Sequence, residues 1–200
     1  MEDEIRKHET PQALEVVELL IDEENELPGV FAISLVESPA IESNFVALSK
    51  QDVKLTIVDA EKRLVVGLAL IPNKEILRRK GDYEYNIKFS SETVRKASQL
   101  YLREMRNKNT TYEHEEIVDG VYLCESWIVE DPLKDKTALY GIEAPIGSWA
   151  VGMKVDNDGV WQRIKDGEVL GFSIEGLFDE KKEDTWKARW EQVKRMVDGY

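Results

Sequence analysis

Asp166-Gly167-Glu168-Val169-Leu170-Gly171-Phe172-Ser173-Ile174-Glu175-Gly176 is the stretch on which the reading of this chain turns. A helix end passes through glycines into a strand that carries a serine. Glycines on both sides of Ser173 permit close backbone approach and unusual dihedrals, as an oxyanion pocket and a bound substrate chain require. The pattern Gly-x-Ser-x-x-Gly is nevertheless common by chance. Its spacing also differs from the Gly-x-Ser-x-Gly elbow of α/β-hydrolases, and the β-rich surroundings lack the parallel architecture of those enzymes.

Immediately upstream, Asp158 can cap a short helix running to Lys165, with Gly167 ending it, and the following strand spans Val169–Phe178. Trp149–Val155 alternates as a strand. Two further β segments, Tyr112–Val118 and Val121–Val129, flank Asp119-Gly120, a dipeptide favoured in tight hairpins. That hairpin predicts His114 beside Glu125.

Ser90 or Ser91 can cap a helix to about Arg106 with Val94, Ala97, Tyr101 and Met105 on one apolar face. Strands are expected at Tyr83–Phe89, Leu64–Ile71 and Val53–Val58, and from Gly29 to a stop at Pro39. Arg78-Arg79-Lys80 reads as a solvated turn. Residues 1–27 read as a polar arm or edge strand, 28–180 as the main domain, and 181–200 as a terminal amphipathic helix. In that helix Trp186, Trp190, Val193 and Val197 share a face, for packing on the core or for an assembly or dimer contact.

Composition narrows the function. The 200 residues suit one domain. A formal charge of −13 repels phosphate backbones, which argues against a nucleic-acid partner. No apolar run approaches the roughly 20 residues of a membrane-spanning helix, and the charged N-terminus lacks a secretion signal's apolar core. Phosphate-binding glycine motifs and zinc spacings are missing, and Asp156-Asn157-Asp158-Gly159 lacks the later ligands of a calcium loop. The single cysteine, Cys124, reads as a small buried core residue. Of two histidines, His8 lies in the charged arm, which leaves His114 as the credible imidazole base.

Four stretches carry a resemblance that sharpens this reading. They are Ile33-Ser34-Leu35-Val36-Glu37-Ser38-Pro39-Ala40-Ile41, His114-Glu115, Glu125-Ser126-Trp127-Ile128-Val129-Glu130-Asp131-Pro132, and Pro145-Ile146-Gly147-Ser148-Trp149 continuing to Gly171-Phe172-Ser173-Ile174-Glu175-Gly176. Together they resemble the XkdF-like phage serine proteases, relatives of the prohead proteases that process capsid and scaffold proteins. The resemblance implies an α+β domain built around a mainly antiparallel β-barrel or strongly curved sheet with flanking helices, similar to the herpesvirus assemblin-type proteases. It also implies His114 as general base and Ser173 as nucleophile, with no cofactor needed.

One departure stands out. In many prohead proteases a Ser-Leu-Val segment leading to Pro-Ala follows the catalytic serine, whereas here Ser34-Leu35-Val36 and Pro39-Ala40 precede it, as in a circular permutation. An acidic residue that begins that segment in the relatives falls at Ala32 here. Glu125 is the expected replacement through the predicted hairpin, with Glu115, Asp119, Glu175 or a simple dyad left open. The resemblance implies scaffold protein and the major capsid protein as substrates, the protease itself as a further one, and action in the host cytoplasm inside assembling proheads. A catalytically silent assembly protein of the same fold is the competing class, and an unrelated small-molecule hydrolase a third.

Overall fold

A computed structural model describes residues 14–37, 45–47 and 55–181. Along the chain the elements are β1 (Val16–Leu20), β2 (Gly29–Val36), β3 (Phe45–Ala47), β4 (Thr56–Asp59), β5 (Leu64–Leu70), β6 (Ile76–Lys80) and β7 (Tyr83–Phe89). Then come α1 (Ser91–Arg103), β8 (Thr110–Tyr112), β9 (Glu116–Ile117), β10 (Val121–Ile128), α2 (Lys136–Leu139), β11 (Trp149–Val155), α3 (Asp158–Lys165), β12 (Gly171–Leu177) and β13 (Asp179–Glu180). The expected α+β class holds. The expected barrel does not: among the described residues the strands form three open sheets, ordered β13-β1-β7-β6, β10-β11-β5-β4 and β3-β12-β2-β8-β9.

Pairing is antiparallel except where β1 lies parallel to β7 and β2 parallel to β8. The core sits between the β12–β2 sheet and the β11–β5 sheet. Period-two alternation sends Ile33 and Leu35 of β2 and Phe172 and Ile174 of β12 into it, each essentially inaccessible to solvent. Burying each such side chain contributes roughly 1.5–3 kcal/mol. The sheets meet closely at Gly67 on β5, where an added Cβ would fall 2.9 Å from two atoms of the Phe172 ring. Phe172 thus fills the space that a side chain at position 67 would need.

Helix α1 begins as its sequence predicts, with the Ser90 hydroxyl accepting from the Thr93 N–H at 3.2 Å, and buries Val94, Ala97, Leu100 and Tyr101. Tyr101 meets Trp149 of β11 edge to face, with centroids 5.5 Å apart. The helix stops before Met105, whose φ of 52° turns the chain out and leaves the side chain exposed rather than on the apolar face. Asn157, not Asp158, caps α3 by accepting from the Val160 N–H at 3.0 Å, and Gly167 follows its end in a left-handed conformation.

Three further expectations are corrected. Arg78-Arg79-Lys80 is not a turn but part of β6, whose register pairs Arg79 with Glu84 and Lys80 with Tyr83 across Gly81-Asp82. Arg78 is buried there. Cys124 lies exposed at a register shift of β10, where the bulge turns its side chain away from the core. Asp119-Gly120 joins no hairpin, because β9 pairs with β8 in one sheet and β10 with β11 in another. The terminal helix expected within 181–200 lies, apart from Lys181, outside the described residues, as do His8 and the strand stop at Pro39.

Candidate active site

Three strands in register build the site's floor. On β12, Ser173 is the Cα partner of Ser34 on β2, and Ser34 is in turn the partner of Thr111 on β8. Partners at the same level point to the same face of a sheet, so three hydroxyl side chains form a row across it. Glu175 lies two residues beyond Ser173 and therefore on that face too, opposite Ala32. The other face of β12 carries Phe172 and Ile174 into the core. Ser173 and Ser34 are fully buried.

The histidine comes from above the row. Strands β8 and β9 are joined by the three-residue loop Glu113-His114-Glu115. Glu113 and His114 adopt φ of 49° and 61°, a left-handed conformation costing roughly 1–2 kcal/mol per non-glycine residue. Successive N–H groups of the loop find fixed acceptors that offset this. The Glu113 N–H donates to the Leu35 carbonyl at 3.0 Å, the His114 N–H to the Ser34 hydroxyl at 3.1 Å, and the Glu115 N–H to the Tyr112 carbonyl at 3.1 Å. The Glu113 carboxylate also accepts from the Glu37 N–H. The strand beside Ser173 thus holds the loop that carries the imidazole.

The ring of His114 meets a carboxylate. His114 Nδ1 lies 3.1 Å from Glu175 Oε1, with only 7% and 11% of the two side chains exposed. The Thr111 hydroxyl donates to the same oxygen. Burial pushes the Glu175 carboxyl up, but the hydrogen bonds from His114 and Thr111, together with the imidazole charge, outweigh it and hold the group below its ordinary range. Glu175 is therefore the ionised partner of the ring. A carboxylate on Nδ1 keeps the neutral ring's proton there and leaves the Nε2 lone pair to accept a proton.

Glu125, the expected carboxylate, is not at this place. It sits on β10 in the other sheet, bonded to the Lys136 ammonium, with 40% of its side chain exposed. The misplacement follows from the hairpin that does not form: the chain reverses at Glu113–Glu115, ahead of Asp119-Gly120. Glu115 and Asp119 are exposed on the loop and beyond β9. Of the other serines in the resembling stretches, Ser126 accepts from the Trp149 indole at 2.8 Å, and Ser148 is buried just before β11.

Sequence reasoning gave Ser34 and Thr111 no part. Their signal is non-local, since only strand register reveals that they stand level with Ser173. Glu175 was readable locally, because two residues along a strand return to the same face. Among the described residues no cluster of three or more His, Cys, Asp or Glu could hold a metal ion.

A carboxylate-backed imidazole on a sheet face that also carries a buried serine is the kind of constellation serine hydrolases use. The family model described as "Putative phage serine protease XkdF" matches residues 52–183, and the chain belongs to that family. The matched span includes His114, Ser173 and Glu175. No match was found among curated proteins or among solved structures.

Proposed function

We propose that the protein is a phage serine endopeptidase in which Ser173 is the nucleophile, His114 the general base and Glu175 the acid that backs it. The observation that carries this reading is the contact of His114 Nδ1 with Glu175 Oε1 at 3.1 Å, on the sheet face and strand that also present Ser173. In the reaction, His114 Nε2 takes the Ser173 proton as the hydroxyl oxygen attacks the scissile carbonyl. Glu175 stabilises the imidazolium so formed, and His114 then gives the proton to the leaving amine. Water repeats the sequence to release the acyl group. Apart from that water, each step uses only side chains of this protein.

Glu175 also accounts for Ala32. The relatives' acid begins the segment equivalent to β2, whereas here the carboxylate comes from the partner strand at the same level, since Glu175 and Ala32 are Cα partners. The acid has moved one strand sideways while serving the same imidazole. This supports a permuted version of the prohead-protease arrangement, with scaffold protein, the major capsid protein and the protease itself as substrates within the assembling prohead. Ser173 is fully buried, so a substrate chain reaches its hydroxyl only after the site opens.

Incubation with the cognate scaffold and capsid proteins tests the reading. The unmodified protein should yield discrete fragments, and Ser173→Ala should yield none while keeping its far-ultraviolet circular dichroism. Undiminished processing by Ser173→Ala refutes the nucleophile assignment and moves attention to Ser34. Intact substrates with the unmodified protein favour the silent assembly role instead.

A further inference from the structure

One oxygen of Glu175 has two partners, and only one of them belongs to the proposed catalytic set. We propose that Thr111 is a positioning residue for the acid: its hydroxyl proton fixes Glu175 Oε1 in front of His114 Nδ1. The inference rests on the functional reading above and adds a residue to it.

The argument begins with reach. Glu175 stands on β12, Thr111 stands on β8, and β2 runs between them. The Glu175 side chain must therefore cross β2 on its way to the threonine, and the residue level with it on β2 is Ala32, small enough to let it pass. A glutamate laid across a neighbouring strand has three rotatable bonds to fix, at a cost of roughly 1.5–2 kcal/mol in lost rotamer freedom. A hydrogen bond at its far end offsets that cost. Threonine suits the task because its β-branched side chain is stiff at χ1 within a strand, so the donor is already aimed before the carboxylate arrives.

The hydroxyl also acts on charge. A neutral donor on the carboxylate stabilises the ionised form without competing for the role of His114, because it brings no charge of its own. Glu175 would otherwise rely on the imidazole alone to offset its burial. Ser34 complements this from the middle of the row, since its oxygen accepts the His114 N–H and sets the loop's height above the sheet. Acid and base are thus each held by a hydroxyl at the same level, and the threonine holds the acid.

Two variants separate positioning from packing. Thr111→Val keeps the shape and removes the donor, whereas Thr111→Ser keeps the donor and removes the methyl. Turnover is measured on a peptide spanning a cleavage site of the cognate scaffold protein. The Glu175 carboxylate is titrated by carbon-13 NMR in a Ser173→Ala background. Thr111→Val should lower kcat on the order of 10-fold with KM unchanged, the effect of one hydrogen bond to a charged group. It should also move the Glu175 titration upward. Thr111→Ser should stay within about 3-fold of the unmodified protein, the residue of a lost methyl contact. The proposal is overturned if Thr111→Val matches the unmodified protein in both readouts, or if Thr111→Ser is as impaired as Thr111→Val. An unmodified protein that cuts no peptide would sink the protease reading alone, and the carboxylate titration then decides the case for Thr111.

Discussion

Replacing Glu175 by glutamine removes one charge from the site while retaining its shape, and the structure sets the size of the effect. His114 Nδ1 and Glu175 Oε1 are 3.1 Å apart with little solvent access. Centres of charge about 4 Å apart interact by about 4 kcal/mol at an effective dielectric of about 20, which corresponds to roughly 10³ in rate if the imidazolium is fully formed at the transition state. In the Ser–His–Asp template an amide in place of the acid costs about 10⁴ because it also imposes the wrong tautomer. That extra loss is not expected here. A glutamine amide whose oxygen takes the place of Oε1 still accepts from both the Thr111 hydroxyl and the His114 Nδ1–H, which preserves the tautomer. Glu175→Gln should therefore lower kcat by about 10²–10³, with KM little changed. Initial rates on a scaffold-derived peptide between about pH 6 and 8, where a histidine changes charge, measure it. Turnover within about 3-fold of the unmodified protein would falsify the assignment of Glu175, as would a loss confined to KM.

The same substitution has a signature in stability. Glu175 is held below its ordinary value of 4.5 in the folded protein. A depressed carboxyl contributes stability that is present above the unfolded value and is lost as pH falls through the folded one. The Tm advantage of the unmodified protein over Glu175→Gln should hold at neutral pH and shrink below pH 4.5. A gap that stays constant into acid would show that the carboxylate's charge does not stabilise the fold.

Two other substitutions test the surroundings. Glu125→Gln should leave turnover within about 2-fold and change stability by less than about 1 kcal/mol, because its partner Lys136 is a half-exposed surface cation; a loss rivalling that of Glu175→Gln would return Glu125 to the site. Gly67→Ala should cost about 1–3 kcal/mol by driving a methyl into the Phe172 ring, read as a lower Tm. Adding Phe172→Leu should recover part of that loss, and strictly additive costs in the double variant would refute the clash.

The α+β class, most strands and the cap of α1 were legible because their causes are local. Alternation marks β7, β11 and β12, a continuous apolar run marks β5, and Ser90 precedes its helix by a single residue. The site was legible on one side only. Ser173 and Glu175 share a face by strand periodicity, yet no local feature chooses Glu175 over Glu125 as the partner of His114. That choice is made where the chain reverses, and it reverses at Glu113-His114-Glu115, residues without the glycine or asparagine that marks a tight turn. The left-handed backbone of Glu113 and His114 is sustained by acceptors on Leu35 and Ser34, some 80 residues earlier in the chain. Arg78 was misread for a similar reason. Its neighbours are charged, but pairing with Tyr85 places it within a sheet.

Placing the proposed nucleophile and acid two residues apart on β12 has a consequence for how such a protein can decay. Ser173 and Glu175 occupy one side of the strand, and Phe172 and Ile174 the other. Losing or gaining one residue ahead of them exchanges the two sides, sending a hydroxyl and a carboxylate into hydrocarbon and a phenyl ring outward, unless a bulge absorbs the slip. Such a lesion destroys solubility together with chemistry, so it leaves no intact but idle molecule for the virus to keep. A lineage that retains the body of the protein and abandons cleavage must do so by single-letter replacement. Ser173 is the letter most readily given up, since alanine there removes one hydroxyl, whereas loss of His114 would leave the buried Glu175 carboxylate without its charged partner.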